Sequence, residues 1–138
     1  MKKILPVLLL LLCILTGCSS EPEHTVTFVE GKQMLLFEEY NCVAVFTQYT
    51  NGSDETAIPA DNVTVKAFQN GVELSPLVPT GEKTEGYSQC DASVQSGTTA
   101  DIVWFFQLDD DSTVSVELSG GEKVDVAVSY THLRAHET

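Results

Sequence analysis

Residues 62–74 (NVTVKAFQNGVEL) indicate the fold most directly. Apolar residues take every second position from Val63 to Ala67, and side chains that alternate with a period of two are typical of a β-strand. Asn70-Gly71 then separates this run from Val72-Glu73-Leu74. Both central residues of a type I′ turn need a positive φ, which Asn and Gly tolerate best. The stretch therefore predicts an antiparallel β-hairpin.

Strand-like segments flank this hairpin on both sides at intervals of about ten residues. They alternate, or are rich in β-branched and aromatic residues, and Gly, Asn, Asp and Ser separate them. The predicted strands include 25–29, 33–38, 41–50, 100–108, 113–118 and 122–128. No window shows an apolar stripe of helical period. About seven or eight short strands over residues 25–128 predict an all-β fold, an antiparallel β-sandwich of two packed sheets.

The segment 75–99 carries fewer strand signals. It holds Pro76, Pro79, three glycines and many polar residues. We predict a long, partly irregular connection here. Loops carry binding functions more often than the elements they join. Contact with a partner is therefore most expected in this segment.

The first residues have the pattern of a secretory signal. Lys2 and Lys3 precede an apolar run of twelve, Ile4 to Leu15. A helix of that length spans roughly 18 Å, well short of the ~30 Å hydrocarbon core of a membrane. A basic start, a short apolar run and small residues before a cleavage site predict a signal-peptide helix over residues 1–17.

Leu15-Thr16-Gly17-Cys18 directly after that run resembles the lipobox of bacterial lipoproteins. The resemblance implies that Cys18 receives a diacylglyceryl group and becomes the first residue of the mature protein. Residues 18–24 would then be the lipidated cysteine and a short polar linker. Two or more acyl chains hold a protein on a membrane almost permanently. The alternative is an ordinary secreted protein cut near the same place.

The net charge narrows the range of partners. Without Lys2, Lys3, Arg134 and Glu137, residues 19–128 carry 19 acidic residues and four lysines, a net charge of −15. Nucleic-acid binding needs clustered Lys and Arg, so no nucleic-acid partner is expected. A polybasic mode of membrane binding is disfavoured for the same reason. Solubility explains the charge better than selective binding of a cation.

Two cysteines remain after Cys13 in the signal and Cys18 at the lipid site. An exported pair permits a disulfide between Cys42 and Cys90, and a loop of about 50 residues would gain roughly 4 kcal/mol on the chain-entropy view. Two separate core residues are the alternative. Cysteine catalysis is disfavoured because His24, the only histidine upstream of this pair, lies in the linker.

No catalytic set, metal site or cofactor is predicted. His132 and His136 have helical ligand spacing, but zinc needs three or four ligands. The run Asp109-Asp110-Asp111 lacks the alternating ligands of an EF-hand and predicts a solvated turn. Residues 129–138 lose the strand pattern and resemble a translated sequencing adapter. We interpret them as a non-native tail.

Residues 35–118 together resemble the uncharacterised immunoglobulin-like, telokin-like domains of Gram-positive surface lipoproteins. The strings that carry this resemblance are Tyr49–Glu55, Phe68–Leu74, Val94–Thr98, Phe105–Leu108 and Thr113–Val116. The resemblance implies an immunoglobulin-like sandwich on the extracellular face of the cell membrane, and it implies no activity.

From these features we expect a non-enzymatic binding or structural module of the cell envelope. Its partners would be the membrane, through the covalent lipid, and an envelope protein or glycan. The oligomeric state stays open. An envelope sensor or ligand carrier with a pocket or an acidic patch is the alternative, and a hydrolase is a distant third.

Overall fold

The computed structural model describes residues 22–79 and 83–128. The predicted signal, Cys18 and the tail 129–138 lie outside these residues. The chain forms two sheets that pack face to face, which confirms the predicted all-β sandwich. Its strands are β1 (His24–Leu36), β2 (Tyr40–Asn51), β3 (Val65–Gln69), β4 (Val72–Glu73), β5 (Pro76–Leu77), β6 (Ser88–Gln89), β7 (Thr98–Gln107), β8 (Val114–Leu118) and β9 (Lys123–Val126). One short helix, α1 (Pro59–Asn62), precedes β3.

The large sheet has the order β1-β2-β7-β5, and β6 pairs with β7 on the same edge as β5. The small sheet has the order β4-β3-β8-β9. All pairs are antiparallel except β6 with β7, which is parallel and departs from the predicted antiparallel pattern. The short strands β4 and β5 therefore lie on one side of the sandwich, and the edge strands β1 and β9 lie on the other.

The hairpin that the sequence indicated most clearly is present. β3 and β4 pair antiparallel, and Asn70 and Gly71 between them have φ values of 54° and 79°. Both positive values fit the type I′ turn. The first strand of this hairpin, β3, begins at Val65, later than the alternation predicts. The reason is that Pro59 starts a single helical turn that runs to Asn62.

The main core lies between the sheets, and a hydrogen-bonded pair, Thr47 and Trp104, is buried there. Thr47 on β2 is fully buried, and Trp104 on β7 is 7% exposed. The Thr47 hydroxyl donates to the Ile102 carbonyl at 2.8 Å and accepts from the Trp104 indole N–H at 2.9 Å. A buried donor without a partner is costly, so this hydroxyl makes a tryptophan tolerable in the core.

The two sheets are in close contact at Gly31 on β1. A Cβ atom built there would lie 2.6 Å from Val126 Cγ2 on β9, closer than two carbons can approach. A bulge between Phe28 and Glu30 brings Gly31 opposite Val45, on the face of the sheet that packs against the core. Glycine at this position lets β9 lie directly against β1.

The central strands of the large sheet are buried on both faces. Val43 and Val45 face the main core, whereas Ala44 and Phe46 face a second cluster that includes Phe105. A strand buried on both faces carries an apolar run without clean alternation, and residues 41–50 have this pattern.

The segment 75–99 covers part of this second face, and it is partly irregular, as predicted. It supplies β5 and β6, and the Tyr87 ring packs edge-on against Phe46 at a centroid distance of 4.7 Å. Lys32 forms an ion pair with Glu85, and its ammonium lies 5.5 Å from the Phe46 ring centroid. Part of this segment therefore packs against the outer face of the large sheet.

The structure does not form the predicted disulfide. Cys42 and Cys90 are free thiols, both buried. Cys42 belongs to the cluster on the outer face of the large sheet, and Cys90 belongs to the main core. Because the sheet itself lies between them, the two act as separate small core residues. Burial raises the pKa of the Cys42 thiol to about 12 and that of Cys90 to about 11.

Candidate functional site

The most unusual exposed feature is the tip of the β1–β2 hairpin. Phe37 is 67% exposed and Leu35 is 41% exposed. The turn closes through a bond from the Glu39 N–H to the Leu36 carbonyl at 3.0 Å. Phe37 and Glu38 have φ values of 54° and 57°, in the left-handed region that bulky residues rarely adopt. The chain thus holds an aromatic side chain in solvent on a strained backbone, a combination typical of functional sites.

This hairpin tip lies at the end of the sandwich away from the predicted tether. β1 has 13 residues and begins at His24. At about 3.3 Å per residue it spans roughly 40 Å. The linker from Cys18 would enter at His24, so a membrane-bound domain presents the tip outward.

An acidic turn lies beside the tip. The Leu108 N–H donates to the Asn41 carbonyl at 2.9 Å. Asn41 is the second residue of β2, so this bond holds the start of the β7–β8 turn next to the β1–β2 turn. The next residues are Asp109, Asp110 and Asp111. The backbone N–H of Ser112 donates to Asp110 at 2.8 Å and holds the pKa of that carboxyl below its ordinary value.

The buried side chain of Gln69, at the end of β3, holds this acidic turn through hydrogen bonds to its backbone. Its amide nitrogen donates to the carbonyls of Asp110 and Ser112 at 3.0 and 2.7 Å, and its oxygen accepts from the Asp109 N–H at 2.8 Å. The predicted turn at Asp109–Asp111 is therefore present, and its backbone is pinned to the end of β3. Asn70 adds a bond from its amide to the Asp110 carboxylate at 2.9 Å.

A slot of about 290 Å³ opens between the sheets on the side of β4 and β5. Its lining is mostly apolar, while the exposed side chains of Lys66 and Glu73 supply charge. The apolar lining includes Val65, Pro76, Leu77, Cys90, Trp104 and Phe106. The slot exists because β4 and β5 are two residues each and leave this side of the sandwich partly open.

A polar cleft of about 570 Å³ lies at the start of β1, at the end of the sandwich where the predicted tether enters and opposite the hairpin tip. Glu23, Asp54, Glu55 and Asp61 line it together with His24. The His24 ring is engaged by the buried Tyr49 hydroxyl at 2.7 Å from Nδ1. Across residues 22–79 and 83–128, no group of three or more His, Cys, Asp and Glu side chains could hold a metal ion.

Sequence reasoning placed the candidate site residues elsewhere. Cys18, His132 and His136 lie outside the described residues. Neither Phe37 nor the slot was predicted. The sequence predicts Phe37 within the strand 33–38, and only the turn that follows Leu36 separates Phe37 from that strand. Within the part of the chain that the structure describes, no helix has the length and apolar character needed to cross a membrane.

Fold and site together define a β-sandwich domain with a protruding apolar hairpin tip and an interior slot. The chain belongs to the family described as a domain of unknown function, DUF5067, whose model matches residues 21–120.

Two solved structures show the same fold. A candidate lipoprotein of Staphylococcus aureus aligns with a TM-score of 0.59 at 12% identity, over 81% of this chain and 87% of that one. A candidate lipoprotein of Bacillus subtilis aligns with a TM-score of 0.50 at 12% identity, over 85% of this chain and 40% of that one. At such low identity the likeness shows the fold alone. No curated protein matches the sequence.

Proposed function

We propose that this protein is a lipid-anchored, non-enzymatic binding module on the extracellular face of the cell membrane, built on an immunoglobulin-like sandwich. The lipobox ending at Cys18 supports the anchor, and both similar solved structures come from proteins described as candidate lipoproteins. The domain would engage an envelope protein or glycan through the tip of the β1–β2 hairpin.

The single observation that carries the binding role is Phe37. An exposed aromatic side chain costs hydration free energy, and a left-handed backbone at a bulky residue costs more. The hydration cost is not offset within the described domain, because Phe37 is 67% exposed. Aromatic residues on fixed turns are the usual anchors of protein interfaces, since few rotamers are lost on binding. The tip therefore has the properties of a contact point.

Site-specific photocrosslinking tests this proposal. A photoreactive phenylalanine analogue at position 37 is expected to crosslink to one defined envelope component on intact cells. The matched control is the same analogue at Val29, which is 46% exposed and lies on β1 eight residues before Phe37, roughly 25 Å away at about 3.3 Å per residue. In a separate pull-down without the analogue, Phe37→Ala should retain about tenfold less of that component than the parent, as for an interface anchor. Equal crosslinking from both positions would reject the tip as the contact surface.

The slot favours a second candidate function, that of a ligand carrier. A largely apolar pocket with a few polar groups at its rim is the usual form of a small-molecule site. This second role is compatible with the first because the slot and the hairpin tip lie on different parts of the sandwich.

A further inference from the structure

The slot between the sheets is unusual for a small sandwich. Protein interiors are packed about as densely as organic crystals, and their voids are few and seldom larger than a water molecule. By contrast, this slot opens to solvent and leaves about 290 Å³ of space beside the buried side chains of Trp104, Phe106 and Cys90. An apolar occupant would remove the apolar walls of the slot from water, which is favourable.

The chain itself fixes both ends of the slot. At one end Leu74 and Ser75 cross from β4 to β5, tied by bonds from the Leu74 N–H to Ala67 and from the Gln107 N–H to Ser75 at 2.7 and 2.9 Å. At the other end the Ala60 N–H of α1 donates to the Cys90 carbonyl at 3.0 Å. A slot bounded in this way has a defined length and a preformed shape.

Two charged residues, Lys66 and Glu73, lie at the rim of the slot and would interact with a charged group on a bound molecule. Lys66 lines the slot and takes part in neither of the ion pairs formed by the described residues, which use Lys32 and Lys123. Its cross-strand partner on β8 is Glu117, which pairs with Lys123 instead, so the Lys66 ammonium is available to an anionic group. Glu73 lines the same slot and opposes such a group. The two residues give opposite tests of a bound anion.

We propose that the slot binds the chain of a medium-length fatty carboxylate, with its carboxylate at Lys66. A cavity of about 150 Å³ holds benzene, so this one suits a chain of about eight to ten carbons. The assignment rests on the slot and on the second candidate function, and it is independent of Phe37.

Trp104 provides a built-in reporter, since it is the only tryptophan in the chain and lines the slot. The experiment titrates decanoate, with decanol as the uncharged analogue, into the full chain carrying Cys18→Ala so that no attached acyl chain competes. Saturable change in Trp104 emission is expected with both, tighter for decanoate. Lys66→Gln should weaken decanoate about two- to fivefold and leave decanol unchanged, and Glu73→Gln should tighten decanoate.

Ala60→Phe is the blocking variant, because Ala60 is exposed on α1 and its side chain borders the slot. It should abolish the response to both probes while far-UV circular dichroism and thermal unfolding stay near those of the parent. No saturable response in the parent, or an undiminished response in folded Ala60→Phe, would overturn the slot as a binding site. Equal affinities for the two probes in every variant would overturn the carboxylate assignment. Phe37→Ala should bind decanoate normally, which separates this proposal from the hairpin-tip proposal.

Discussion

Replacing Thr47 by Val tests the hydrogen-bonded pair at the centre of the core. Valine has nearly the shape of threonine but no hydroxyl, so packing is kept while the Trp104 N–H loses its acceptor at 2.9 Å. A buried donor left without a partner costs about 1–3 kcal/mol. Trp104 is only 7% exposed, so we expect about 2 kcal/mol, or a fall in Tm of roughly 8–16 °C for a domain of this size.

Urea unfolding followed by far-UV circular dichroism measures this loss, and a double-mutant cycle isolates its cause. Trp104→Phe removes the indole donor, so Thr47→Val should cost much less in that background, with a coupling of about 1–2 kcal/mol. Thr47→Ser keeps the hydroxyl and should cost only about 0.8 kcal/mol for the missing methyl. A Thr47→Val loss below about 0.5 kcal/mol, or an equal loss in both backgrounds, would refute the argued role of the pair.

Three further predictions follow from the packing, the thiols and the anchor. Gly31→Ala places a Cβ 2.6 Å from Val126 Cγ2, so it should lower the free energy of unfolding in urea by about 1–3 kcal/mol. In a Val126→Ala background, where the clashing methyl groups are absent, the same Gly31→Ala change should have little effect. An equal cost in both backgrounds would place the strain elsewhere. The Cys42 and Cys90 thiols have an ordinary pKa of 9.0 in the unfolded chain, and burial raises the pKa to about 12 for Cys42 and about 11 for Cys90 in the folded chain. Above pH 9 the folded state therefore holds more protons than the unfolded state, so the free energy of unfolding should fall as the pH rises. The double alanine variant should flatten this fall, and an unchanged slope would argue against burial as the cause. Cys18→Ala should release the protein into the medium, and continued membrane association would contradict the lipid anchor.

Local patterns in the sequence predicted the strands that alternate and the turns with special residues. Asn70-Gly71 marked its hairpin because few residue pairs tolerate two positive φ values. The segments 113–118 and 122–128 became β8 and β9, each a residue or more shorter than predicted. The segments 25–29 and 33–38 proved to be one strand, β1, because a bulge near Val29 interrupts the alternation without ending the pairing.

The rest depends on contacts between residues far apart in the chain. Tyr87 packs on Phe46, a contact that spans more than forty positions, and no local pattern marks the loop around Tyr87 as the cover of a sheet. The free state of Cys42 and Cys90 depends on which face of the sheet each occupies. The exposure of Phe37 follows from the turn that begins directly after Leu36, one residue before the apolar run ends. The slot arises from the shortness of β4 and β5.

Mass spectrometry of the N-terminal peptide, from protein isolated with the membrane fraction, tests the anchored-module account most directly. We predict a chain that begins at Cys18, carries acyl groups on that residue and is recovered from the outer side of the membrane. A chain that keeps Met1, has an unmodified Cys18 thiol and is found in the cytosol would contradict the account.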